Sequence, residues 1–154
     1  MEVAVAALEE QEIVTIHTAE GAVKVFKKDL IHFPDGLFGF PQFTDFAIFD
    51  INECKPFKSM RSSQPGGPEF VVVEPLRIFN DYDPLNEFTN LDELELGSPL
   101  ELVVLSIVTL AEDPGDITAN LRGPLMLNLN TRCARQIALQ DDRYMTKAPI
   151  IHNH

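Results

Sequence analysis

The chain has 154 residues, 45% hydrophobic and 23% charged, with a formal net charge of −12. That length suits one domain with a full core and is short for two. The acid excess argues against direct binding to nucleic acid or an anionic membrane, whose fields would repel it, and fits a basic partner; solubility alone would also account for it.

The opening "MEVAVAALEEQE" lacks the basic region of a secretory signal, and there is no apolar run long enough to span a bilayer. The expectation is a cytoplasmic protein. Residues 1–12 read as a variable arm, 13–150 as one domain, and 151–154 as a short tail.

"VTIHTAEGAVKVF" alternates on both sides of Glu20-Gly21. It reads as a hairpin with glycine supplying the positive φ of the turn. In "IHFPDGLFGFPQF", Pro34, Gly36, Gly39 and Pro41 set turns among Phe33, Leu37, Phe38, Phe40 and Phe43. With irregular ring spacing and no interleaved basic residues, this is a loop packed on the core rather than a base-stacking site. Phe33, Gly36, Gly39 and Phe40 are therefore structural candidates.

"TDFAIFDI" alternates as a strand, and a short strand is expected near Phe57–Arg61. Ser62–Pro68 is a loop, and "FVVVEP" is a strand closed by Pro75. "TNLDELELGSPLEL" has room for one or two helical turns, with Thr89 or Asn90 as cap and Glu93 reaching back. "LVVLSIVTL" is the strongest strand in the chain. "AEDPGDIT" is a turn. "ITANLRGPLMLNL" and "RQIALQD" read as two more strands around 130–132. The sum is an all-β, mainly antiparallel, compact barrel-like domain of seven or eight strands with brief helical turns.

Within Ile117–Asn128, Gly123-Pro124 interrupts the strand pattern. Pro124 removes a ladder donor, which implies an edge or a bulge. Asn120 lies beside that irregularity, and its amide can satisfy backbone groups left unpaired there. Leu125, Leu127 and Leu129 then fall on one phase, with Asn128 and Asn130 on the other.

Sites for chemistry are scarce. Gly-x-Ser-x-Gly does not occur. Cys54 and Cys133 are far apart with no CxxC, so two free thiols are expected and a zinc site is not. His17, His32, His152 and His154 show no ligand spacing, and neither metal nor cofactor is expected. Asp81 and Asp83 share a face if extended, but general acid–base work would need one of them buried and neutral. A small β-barrel hydrolase or isomerase using Asp81, Tyr82 or His32 would require those groups to meet in a cleft.

The charge is unevenly spread. Between Arg77 and Arg122 there is no Lys, Arg or His, and there are ten acids, from Asp81 to Asp116. A single-sign face is expected, which would steer a cationic partner.

Five pieces in order, "IHFPDGLFGFPQF", "EFVVVEPLRIFNDYD", "LVVLSIVTL", "TANLRGPLMLN" and "RQIALQDDRYMTKAPI", make the chain resemble the FliW family of flagellar assembly factors from about Val14 to Ile150. The arm before Glu12 and the loop carrying "SQPGGP" depart from the family pattern. The resemblance implies an antiparallel barrel-like fold without catalysis. It also implies binding to the small basic RNA-binding regulator CsrA, relieving repression of flagellin translation, and binding to flagellin itself. A flagellin-specific secretion chaperone without action on translation is the alternative.

On this resemblance, Asp81, Tyr82 and Asp83 are expected to contact the partner, with Tyr82 as an interface anchor. The opposing reading places Tyr82 in the core and the aspartates at a turn. Asn120, Arg122, Gln136 and Tyr144 also match family positions. They read mainly as scaffold, with Gln136 and Tyr144 as second contacts.

Overall fold

A computed structural model describes residues 12–18, 21–51 and 55–150. Residues 1–11 of the N-terminal arm, Glu20, Cys54, His152 and His154 lie outside the described residues.

Strands β1 (Ile13–Thr18) and β2 (Gly21–Phe26) form the hairpin expected from the alternation. Nine further strands follow: β3 (Ile31–His32), β4 (Asp45–Asp50), β5 (Lys58–Ser62), β6 (Glu69–Val73), β7 (Leu102–Thr109), β8 (Thr118–Ala119), β9 (Leu125–Asn128), β10 (Cys133–Gln136) and β11 (Ala148–Pro149). The ladder runs β7-β6-β5-β4-β3-β10-β9 and returns to β7, which closes a seven-stranded barrel. Closure leaves no free edge in the ring. All its pairings are antiparallel except β3 with β10, a single parallel bridge from His32 to Cys133.

Alternation sorts side chains between two faces. Phe46, Met60, Val72, Leu105, Leu125 and Leu127 fill the barrel interior together with Phe33 and Leu37 from the loop that follows β3. The rings of Phe33 and Phe46 meet edge to face at 5.5 Å. Phe40 is partly exposed but packs on Phe70, with centroids 5.5 Å apart. Gly36 has φ +65°, and a Cβ there would lie 2.6–2.7 Å from the backbone of Phe40 and Pro41. Only glycine fits. The hairpin covers β4 from outside, through Ile16, Leu30 and Ala47.

A second core lies on the outer face of β6, β7 and β9. Val73, Val104, Val108 and Met126 project from that wall, and Tyr82, Leu94, Leu96, Leu139 and Tyr144 close over it. The covering chain contains a 3-10 turn at Leu91–Leu94, capped as expected by Asn90, whose side chain accepts from Asp92 N at 3.0 Å. All four residues of β9 are consequently buried.

One expectation needs correction. The strand placed on "RQIALQD" begins earlier and ends at Gln136, because Ile137 and Leu139 already bond back to Pro124 and Arg122. Asn128, on the phase opposite Leu125 and Leu127, is fully buried as they are.

Candidate functional site

β8 and β9 lie along the same edge of β7, but not in one register. Val108 faces Ala119, whereas Leu105 faces Leu125. The strand opposite β7 therefore carries three extra residues, which loop out between Asn120 and Pro124. The irregularity signalled by Gly123-Pro124 is this loop.

Asn120 holds the loop from within. Its Oδ1 accepts from Arg122 N at 3.1 Å and from Gly123 N at 2.9 Å. The Arg122 guanidinium donates through Nε to the Leu139 carbonyl and through Nη2 to Asp142 at 2.9 Å. Gln136 reaches the same loop, donating to the Gly123 carbonyl at 3.0 Å and accepting from Phe38 N at 2.8 Å. It ties the loop to the seam between β3 and β10, where Arg135 also pairs with Asp35. A Cβ at Gly123 would crowd Asn120 Nδ2 at 3.0 Å and Gln136 Nε2 at 3.2 Å.

Tyr82 and Tyr144 are both turned inward, 6% and 7% exposed. Their rings meet edge to face at 4.9 Å. The Tyr82 hydroxyl donates to the Leu121 carbonyl at 2.6 Å, and the Tyr144 hydroxyl accepts from Asp83 N at 3.0 Å. Burial, with smaller effects from Tyr144 and Glu87, pushes the Tyr82 phenol far above its ordinary value of 10.0. In this arrangement neither ring is presented as a surface anchor. The two tyrosines instead fix the backbone that carries Asp81 and Asp83, whose side chains are exposed.

The ten acids between Arg77 and Arg122 are all exposed. Glu87 accepts from Gln140 N at 2.7 Å and Asp141 N at 3.0 Å, and Glu95 lies 3.6 Å from Arg135. Asp81, Asp83, Asp92, Glu93 and Glu101 have no ion-pair partner among the described residues. Beside them, Arg143 clasps Asp141 with side-chain and backbone bonds, which lowers that carboxyl and raises the guanidinium. These exposed carboxylates are open to ammonium and guanidinium groups.

Asp81, Tyr82 and His32 do not meet in a cleft. His32 sits on β3 with Nδ1 2.8 Å from Asp45, in a groove with Arg132, whereas Tyr82 belongs to the outer core. Among the described residues no group of three or more His, Cys, Asp and Glu is placed to hold a metal, and no helix is long and apolar enough to cross a membrane. Cys133 is a half-buried free thiol.

Sequence reasoning missed Asn128. Its Nδ2 donates to the carbonyls of Leu96, Gly97 and Pro99, and its Oδ1 accepts from Glu101 N and Asn130 N, both at 3.0 Å. One buried amide thus pins the covering chain to β9. An Asn inside the run "LMLNL" was the available signal.

The family model described as FliW protein matches residues 14–150. A flagellar assembly factor FliW of Leptospira biflexa is 33% identical over 142 residues, covering 91% of this chain and 93% of the relative. One of Treponema pallidum is 34% identical, covering 85% and 87%. A crystal structure of the flagellar assembly factor FliW superimposes with a TM-score of 0.79 at 26% identity, over 90% of this chain and 98% of that one. A single barrel with an acidic cover, matched along nearly its whole length in both sequence and fold, is a member of the FliW family.

Proposed function

We propose that this chain is a non-enzymatic flagellar assembly factor that binds the basic translational regulator CsrA through its acidic cover, and that it also binds flagellin. In this reading flagellin and CsrA exchange on the protein, so export of flagellin frees it to relieve repression. Its site of action is the cytoplasm. Family membership supports the assembly role. The observation that carries the CsrA contact is the exposure of all ten acids in a stretch without a cation.

Asp81 and Asp83 make first contact with basic groups, while Tyr82 and Tyr144 hold their backbone in place. Gln136 acts through the 120–124 loop rather than by touching the partner. Isothermal titration with CsrA from the same organism, at low and moderate salt, tests the reading. The expected result is a complex that weakens as salt rises. Absence of heat at either salt, with folded protein shown by circular dichroism, removes the CsrA role.

A further inference from the structure

We propose that a second surface of opposite charge, the groove between the hairpin, β3 and the turn before β10, docks an acidic, apolar-containing peptide segment of a partner protein. The groove encloses about 350 Å³. Lys27, Lys28, His32 and Arg132 line it together with one acid, Asp45, and with Thr131 and Val14 on its walls. Four basic residues converge here in a chain of net charge −12.

Two acids at the groove are engaged by its own basic residues, Glu12 lying 3.5 Å from Lys27 and Asp45 bonding His32 at 2.8 Å, whereas the exposed Asp29 beside Lys28 has no ion-pair partner among the described residues. Lys28 and Arg132 are left without a carboxylate partner among the described residues. Arg132 also occupies a left-handed backbone conformation, φ 60°, which is uncommon for a residue with a long side chain. Its backbone is clamped there, donating to the Asn128 carbonyl and accepting from His32 N, both at 2.8 Å.

Apolar surface adjoins the cations and selects a peptide over a simple anion. Ile13 and Phe26 face each other across the hairpin, 54% and 45% exposed, and Lys28 Nζ lies 5.7 Å from the Phe26 ring centroid. Cations beside exposed aliphatic and aromatic side chains complement carboxylates alternating with apolar residues. The basic partner proposed for the acidic cover is unsuited to this groove, so the inference stands independently of that contact.

The test is a nitrogen-15 amide-shift titration of the full chain with a synthetic peptide of alternating Glu and Leu. Amides of Lys28, His32, Thr131 and Arg132 should shift and saturate, less readily as salt rises. Lys28→Gln with Arg132→Gly should weaken binding roughly tenfold, the effect of losing two exposed charge contacts. Glycine accepts the φ of position 132, so that variant keeps the turn; Lys28→Gln alone, on an exposed side chain, gives a smaller loss in the same direction. Lys55→Gln with Lys147→Gln, an equal charge change elsewhere, should leave affinity unchanged. The proposal is overturned if those amides do not move, if the Lys55/Lys147 pair matters equally, if a Gln–Leu peptide binds as well, or if inorganic phosphate reproduces the shifts.

Discussion

The hydroxyl of Tyr82 reaches the carbonyl of Leu121 at 2.6 Å, and that bond joins the acidic cover to the loop that interrupts the strand beside β7. Both ends are buried, so removing the donor leaves a carbonyl without water or partner. Tyr82→Phe should cost about 1–3 kcal/mol. At roughly 2–4 °C per kcal/mol for a chain of this size, a thermal melt reads the loss directly. An unchanged melting temperature would mean that the carbonyl finds another donor.

The same phenol sets an alkaline limit. Its folded pKa is raised above the unfolded value of 10.0, chiefly by burial. Stability from this group is full below the unfolded pKa and is lost as pH climbs toward the folded one, because the unfolded chain releases the proton first. Melting temperature should therefore fall above about pH 10 more steeply in the wild type than in Tyr82→Phe. Parallel curves would show that Tyr82 ionises with equal ease in both states.

Asn128 makes five hydrogen bonds from a fully buried position. Asn128→Leu keeps the branched shape but removes the partner of Gly97 O and of the N–H groups of Glu101 and Asn130, while the Leu96 and Pro99 carbonyls keep Thr131 Oγ1 and Asn130 Nδ2. A loss of about 3–5 kcal/mol is expected in urea denaturation, among the largest a single substitution produces.

These residues differ in how far the sequence exposed them. β7 was legible because seven of the nine residues in its run, Leu102–Leu110, are apolar, and the loop at 120–124 because Gly-Pro cannot continue a ladder. Asn128 was not, because alternation assigns a polar residue to water wherever only one face of a strand is assumed covered. Here the chain from Pro75 to Leu100 lies over the outer face, and that return is a long-range event with no local signal. Tyr82 was equally ambiguous. A tyrosine between two aspartates suits a surface anchor or a buried ring with a polar tip, and only Leu121, 39 positions away, decides which.

Asn120 separates scaffold from contact. Asn120→Ala removes the acceptor for two N–H groups of the loop, and about 1–2 kcal/mol should be lost, whereas Asn120→Asp keeps both acceptors and most of the stability. A fully stable Asn120→Ala chain that fails to bind its partner would make Asn120 a contact instead.

Charge reversal at Asp81 and Asp83 tests the acidic cover. Both side chains are exposed, so folding should be little affected. Stopped-flow association with CsrA should slow several-fold and lose part of its dependence on salt. Wild-type rates in the double variant would move the contact elsewhere on the cover.

β7 serves as the party wall of two rooms. Val103 and Leu105 face the barrel, Val104 and Val108 face the covered side, and neighbouring strands bond to both of its edges. Neither room can be emptied without breaching the other. Barrel and cover should therefore melt in one transition, and the amides of β7 should exchange with solvent only when the whole molecule opens.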